Sequence, residues 1–409
     1  MDLVVRNVRL RGADEPCDIG IVDEAITRIE THIAEAGERE IDGDGGLAVP
    51  SFVDSHSHLD KSMMIYQSPP AVTGTITESL ARSYVAKRSS SVADVVARGR
   101  QALEWAVANG TGAIRVHSDV DFGWGTTGVE GLLELKRMFA GLVDLQVLVL
   151  PAANPLNDEL RALVRRGMDL GADAVGGSPH LEHSPPDVVR YVDFVFAIAK
   201  EYDVDVDLHI DQNVESTSDT RAAEVVLAKT LAEGYEGRVT LNHWGALSAY
   251  AEAEAAQVIE MAKEARINFC ACPKEELIIS DMGPSRIKQL VAAGINCAYA
   301  HNNNGDMFSP YGRMDMLEAG LFALHAGEFN TMTDAETVVD MGTVNPARIM
   351  GLERYGIAEG NTANLNVLSA PSAYEAFRRN ADRRYVIRLG RLVAETTTET
   401  TLHFDVGDV

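Results

Sequence analysis

The sequence predicts an α/β fold, a (β/α)8 TIM barrel with a small β-sandwich domain formed by both termini, and three observations predict it. β-like apolar runs alternate with amphipathic helical runs through the middle of the chain, the alternating units number eight, and short strand-like runs with Gly and Asn turns bracket them at both ends. Strict alternation implies a parallel sheet, and eight units imply that the sheet closes on itself. The expected division places residues 1–49 and 352–409 in the β domain and residues 50–351 in the barrel.

In chain order, Leu3–Leu10 and Asp18–Val22 read as antiparallel strands. The apolar stretch Leu47–Val53 reads as the first barrel strand. The other seven are expected at Gly112–His117, Leu145–Leu150, Ala174–Gly177, Val204–His209, Arg238–His243, Ile267–Cys272 and Ile295–His301. Between them lie helical stretches such as Ser91–Asn109, Gly128–Phe139, Asp158–Leu170, Asp187–Tyr202, Asp219–Gly234 and Ala251–Ala265. Several open near an acidic residue, which suits the positive end of a helix. Ala363–Leu368, Arg384–Leu389 and Arg391–Ala394 then read as strands that return to the N-terminal pair.

Composition narrows the function. The 409 residues are 46% hydrophobic, enough for a large core. No apolar run spans a bilayer and no signal segment opens the chain, so a soluble cytoplasmic protein is expected. The net charge of −25, from 61 acids against 36 bases, argues against nucleic acid or an anionic membrane as partner. Cys17, Cys270, Cys272 and Cys297 are too few for a disulfide framework, and Cys270-x-Cys272 has the wrong spacing for a zinc knuckle.

The chemistry concentrates on histidines. In Asp54-Ser-His56-Ser-His58-Leu-Asp60 two imidazoles recur with period two, so an extended chain points both the same way. His117, His180, His209, His243 and His301 also stand at or just past the C-terminal end of an expected strand, the face on which such barrels carry their active sites. Imidazole is the commonest protein ligand for zinc, and His56, His58, His209 and His243 together mark a shared site.

With these motifs the chain resembles the amidohydrolase superfamily, and within it the branch of cytosine deaminase and N-isopropylammelide amidohydrolase. The resemblance covers nearly the whole length. It rests on His56-Ser-His58-Leu-Asp60, Leu208-His209-Ile-Asp211, Val239-Thr-Leu-Asn-His243, His301 through Gly312, and Tyr355-Gly-Ile-Ala-Glu-Gly360 with Asn361, Ala363, Asn364 and Leu365. It implies one divalent metal, zinc or iron, on His56, His58 and His209, with His243 at the reacting water or the substrate. It also implies a small-molecule substrate and a homo-oligomer.

The departures carry as much information. The family's proton-shuttling Glu falls at Gln212 and its metal-binding Asp of the eighth strand at Asn302, so both expected carboxylates are amides. An amide cannot accept a proton near neutral pH. With Asn302 in place of that Asp, a weakly held metal or none is the alternative to the implied zinc or iron. The expected substrate-reading Gln after the third strand is Ala152, in a turn that continues to Asn154, which disfavours cytosine as substrate.

Three readings follow. A three-histidine site, completed by Asn302 or water, activates water to hydrolyse a C–N bond in a small, cyclic amide or amidine, with His243, His301, Asp211 or Asp306 carrying the proton. Alternatively a metal-free pocket runs isomerisation, cyclisation or elimination on its histidines, or the barrel only binds a ligand. Retained imidazoles favour the first. Asp60 and Lys61 are placed to orient a ligand or meet an anionic substrate group, Trp124 and Trp244 to stack on a planar ring, and Met63, Met64, Met307 and Phe308 to roof the pocket.

Overall fold

The computed structural model describes residues 1–152, 155–213 and 221–403. Eight parallel strands form the barrel: β6 (Phe52–Ser57), β7 (Thr111–Val120), β8 (Asp144–Pro151), β9 (Ala174–Gly177), β10 (Asp205–Ile210), β11 (Val239–His243), β12 (Asn268–Ala271) and β13 (Asn296–Tyr299). They pair in sequence order, and the barrel closes through a parallel bridge between Ser57 and Asn302. At that seam the Asn302 N–H donates to the His56 carbonyl at 3.1 Å and the His58 N–H to the Asn302 carbonyl at 3.3 Å. Asn302 has a left-handed backbone, φ 62°, which Asn tolerates better than most residues. The seam thus lies at Asn302, one of the two amide positions at which the family resemblance leads one to expect a carboxylate.

Alternation along the strands sorts side chains between two cores. On β10, Val206, Leu208 and Ile210 join the large apolar cluster under the helices, as do Val147 and Val149 on β8 and Ile114 and Val116 on β7. The alternate positions meet polar partners inside the barrel: Asp207 accepts from Arg115 at 2.9 Å and Asn242 Nδ2 bonds Asp207 at 2.5 Å. This buried polar layer forms a floor beneath the histidines. Helices on the outside start where the chain supplies caps: Ser91 and Asp94 form a capping box for the helix Val92–Ala108, Asn157 caps Asp158–Asp169, and Ser184 caps Pro185–Tyr202.

The first barrel strand differs from the expectation. Ala48–Pro50 is a separate strand, β5, outside the barrel, and the barrel strand runs Phe52–Ser57, so His56 lies inside it. Pro50 has no N–H to offer a ladder, and the Ser51 N–H is taken by the Asn364 carbonyl at 3.1 Å.

The chain ends build two four-stranded sheets. One holds β1 (Leu3–Val8), β2 (Cys17–Val22), β3 (Ala25–Glu30) and β4 (Arg39–Asp42) in the order β3-β2-β1-β4. The other holds β5 with β14 (Leu365–Leu368), β15 (Arg383–Arg388) and β16 (Arg391–Glu395) in the order β16-β15-β14-β5. Leu3, Val5 and Ile19 of the first share one apolar core with Leu365, Val367 and Ile387 of the second. No described helix is long and apolar enough to cross a membrane.

Candidate active site

The C-terminal rim of the barrel gathers five imidazoles. His56 lies on β6, His58 just past it, His117 on β7, His209 on β10 and His243 at the end of β11. All are at least nine-tenths buried. Ring centroids stand 3.9 Å apart for His56 and His117, 4.6 Å for His56 and His209, and 5.4 Å for His209 and His243. His243 follows Asn242, whose side chain already points into the barrel, so strand alternation alone would turn the histidine outward. The left-handed backbone at His243, φ 70°, and Trp244, φ 50°, breaks that alternation and returns the imidazole to the rim.

A nitrogen of each of His56, His58 and His209 lies within 4.8 Å of the other two. His58 Nε2 and His209 Nε2 are 3.3 Å apart. Two nitrogens that share a cation at about 2.1 Å stand roughly 3.0–3.4 Å apart for angles between square and tetrahedral, so this pair fits. His58 Nδ1 lies 3.1 Å from the His117 carbonyl and 3.2 Å from Lys61 Nζ; in the tautomer that donates to the carbonyl, the Nε2 lone pair faces inward. His209 Nδ1 has no hydrogen-bond partner, and neither ring nitrogen of His56 has a well-oriented one, Asn242 being the amide beside it. Burial holds His56, His58, His117 and His209 well below the usual imidazole range, and His243 down to about 3. Neutral imidazoles with free lone pairs are what a metal requires. The donor set therefore fits a divalent cation, although it carries no negative charge.

Above this cluster opens a cavity of about 220 Å³. That is below the roughly 300 Å³ at which ligand pockets usually begin, a size that suits a small molecule. His58, His209 and His243 line its base with Lys61, Gln212 and Asn302, while Leu150, Ala152, Ile279 and Phe308 supply apolar walls. Asn302 Oδ1 is buried without a partner. Lys61 belongs to a buried chain of charge: its Nζ bonds Asp119 at 2.7 Å, Lys87 reaches the other Asp119 oxygen at 2.7 Å, and Lys87 also bonds Asp121 at 2.6 Å. Burial alone raises Asp119, but the two lysines hold it well below the usual carboxylate range. Asp60 braces this chain from below by accepting the Asp119 N–H at 3.0 Å.

Other expected site residues stand elsewhere. Asp211 accepts the N–H groups of Ala222 and Ala223 at 2.9 and 3.1 Å and so caps a helix start instead of facing the cavity. His301 does not line the cavity; its Nε2 accepts the Met314 N–H at 3.1 Å. Trp124 donates to the Ser90 carbonyl at 3.0 Å and lies against Lys87, while Trp244 is fully enclosed in the apolar core. Asp306 accepts the N–H groups of Phe308 and Ser309 at 2.9 and 3.0 Å. Asn154 lies outside the described residues.

Sequence reasoning passed over two glutamates on the single-turn helix Pro273–Ile278 after β12. Glu275 lines the cavity. Glu276 accepts the Cys272 N–H at 2.6 Å and stands 3.6 Å from His243 Nδ1. The available signal was their place within four residues of Cys272, the expected end of the seventh strand.

The comparison with known families agrees with this geometry. The profile of the amidohydrolase family matches residues 47–393. The chain belongs to the amidohydrolase family. Relatives of the chain are named as amidohydrolases and deaminases acting on C–N bonds, and this protein is an enzyme of that class. It is 32% identical over 407 residues to an N-isopropylammelide isopropyl amidohydrolase of Pseudomonas sp. (strain ADP), covering 96% of this chain and 97% of the relative. A pterin deaminase of Rhizobium rhizogenes is 28% identical over 360 residues, 85% of this chain and 80% of the relative. Among solved structures, a 5-methylcytosine deaminase from Klebsiella pneumoniae liganded with 5-fluorocytosine superposes with a TM-score of 0.91 at 30% identity, covering 98% of this chain and 99% of that one. The amidohydrolase assignment accounts for the barrel and for the cluster of histidines at its rim.

Proposed function

We propose that this amidohydrolase cleaves a C–N bond in a small cyclic amide or amidine, using water activated at a divalent cation held by His56, His58 and His209. The observation that carries the reading is the convergence of those three neutral imidazoles, two of which, His58 and His209, line a cavity sized for a small molecule. When bound, zinc or iron supplies Lewis acidity, which makes water acidic enough to attack at neutral pH.

The chain's own residues position the substrate. Leu150, Phe308 and Ile279 offer apolar walls for the faces of a planar ring, and Gln212 and Asn302 present hydrogen-bonding groups to its edge. Lys61, fixed by Asp119, brings a positive charge to the same space. Ala152 gives no hydrogen bond where a pyrimidine reader is expected, so cytosine is not the proposed substrate. Gln212 and Asn302 orient but do not move protons, and His243, held near 3, is a weak base.

The two amides favour a second reading, metal-free proton-transfer chemistry on the histidines, and one assay separates the two. Purified protein is incubated with N-isopropylammelide, pterin and 5-methylcytosine while released amine or ammonia is measured and bound metal is counted. The proposal expects amine release from at least one ring compound other than the pyrimidine, with about one cation per chain. Conversion without amine release, or by metal-free protein, would establish the second reading.

A further inference from the structure

With amides at 212 and 302, the hydrolytic reading lacks a group that moves the proton. Among the described residues, the acids lining the cavity are Asp119, Glu182 and Glu275. Asp119 is pinned as a carboxylate between Lys61 and Lys87, each at 2.7 Å. Glu182 is less enclosed, 7% exposed against 1% for Glu275, and faces Asp187, His183 and Arg190 near the surface. Glu275 differs from both. One oxygen, Oε1, accepts the Asn303 N–H at 3.2 Å, while Oε2 is buried with no hydrogen-bond partner.

A buried carboxyl oxygen without a partner is costly, and such a group is retained where it has work to do. The helix Pro273–Ile278 starts directly after β12, so Glu275 stands at the rim, on the same side as Asn302 and Asn303. We propose that Glu275 is the proton carrier of this active site, serving from the seventh strand the role for which positions 212 and 302 hold only amides. The inference rests on the hydrolytic reading above.

The charged groups that act on Glu275 are Lys274 on its own helix, Asp306 on the loop after β13 and Asp54 on β6. Lys274 favours the carboxylate and its Nζ is held 3.1 Å from the Asn303 carbonyl, but burial outweighs it and raises Glu275 to about 8. At neutral pH the resting group is therefore the acid, Cδ–OH. As water adds to the substrate carbon, Glu275 gives its proton to the ring nitrogen and takes one from the adding water, which leaves a neutral tetrahedral adduct. It next protonates the departing nitrogen and recovers the hydroxyl proton as the C–N bond breaks and the carbonyl forms. Substrate and one water become carbonyl product and amine, and Glu275 ends as it began.

The sign of the pH dependence follows. Because the acid form starts the cycle, kcat/KM falls as pH rises past the carboxyl's pKa. The test compares wild type with Glu275→Gln and Glu275→Asp, using N-isopropylammelide and pterin as probes. Glu275→Gln is expected to lower kcat/KM by about 10²–10⁴-fold, the usual worth of a positioned proton carrier, at unchanged metal content and with no loss of melting temperature. Glu275→Asp is expected to restore part of the rate and move the alkaline limb. Infrared difference spectra, which need no substrate, should show protonated-carboxyl absorption that titrates near pH 8 in wild type, from Asp54, Glu275 and Glu276, and that loses the Glu275 component in Glu275→Gln. Full activity in Glu275→Gln would overturn the proposal while leaving hydrolysis intact. A wild type inert on every probe would remove the hydrolytic reading, and Glu275 would then be judged by the infrared titration alone: loss of its band below pH 6 rejects it as a proton donor.

Discussion

The two sides of the barrel rim use opposite means to prepare the same cavity. On the β6 and β10 side, His56, His58 and His209 bring lone pairs together with no charge, and burial keeps them neutral. On the β12 and β13 side, Asn302 and Asn303 supply amides and Glu275 a carboxyl that burial keeps protonated, while Glu276 and Lys274 stand outside the cavity lining. On the proposed reading, the contrast gives the metal site and the proton carrier separate locations in this chain, so each should be removable without the other.

The largest expected effect comes from breaking the histidine side. His209→Ala leaves two imidazoles, too few to hold a cation, and should lower bound metal toward zero and turnover by more than about 10³-fold, or ~4 kcal/mol of transition-state stabilisation. Metal analysis and amine release check both. Retention of the metal would mean that the three histidines do not form the site.

The charge chain beneath Lys61 supports that side mechanically. Lys87→Met removes the cation between two buried carboxylates, Asp119 and Asp121. Stripping one partner from such a cluster typically costs ~3–5 kcal/mol, and urea unfolding should show a loss of that size. A change below 1 kcal/mol would show that the lysine is dispensable to folding.

Converting the amide side toward the histidine side gives a smaller effect. Asn302→Asp places an anionic oxygen where an unpartnered amide oxygen now sits, and metal affinity is expected to rise about tenfold, ~1.4 kcal/mol, with hydrolytic turnover retained. Competition against a chelator measures the affinity. Tighter metal together with abolished conversion of the natural substrate would instead support non-hydrolytic chemistry.

The smallest effect is a slope. Burial raises Asp54, Glu275 and Glu276 to about 8, whereas unfolded carboxyls titrate near ~4. The folded protein holds protons that the unfolded chain has released, so stability falls as pH rises until the folded groups lose theirs. The buried histidines, lowered on folding, pull the other way only below their unfolded value of ~6.5. Between pH 6.5 and 8 the melting temperature of the protein should therefore decline, and Glu276→Gln should flatten the decline. A rise over that interval would contradict the assignment of buried acids.

Much of the histidine side was legible in the sequence because it obeys local rules. His56 and His58 are two residues apart, and His209 follows an apolar run that alternation places in a barrel strand. The other side was not, because its geometry depends on breaks in those rules. Glu275 reaches the cavity from a one-turn helix that no periodicity announces, and His243, which the sequence placed at the site by its strand end, turns inward only through its left-handed backbone. Asp119 and Lys87 meet across 32 residues of chain, and nothing in either segment names the other. Trp124 and Trp244 show the reverse error of residue type: an indole suits a ring stack as well as a core, and here both pack away from the cavity. Pro50 shifted the first barrel strand because a missing N–H ends a ladder that apolar patterning alone would continue.

The claim that links both sides is that a cation on His56, His58 and His209 activates water for C–N cleavage. The direct measurement strips the purified protein with a chelator, returns zinc or iron in steps, and follows amine release from the ring compound that the protein converts. The account predicts no turnover in the stripped protein and full turnover at about one equivalent per chain. Stripped protein that works at the full rate would contradict it.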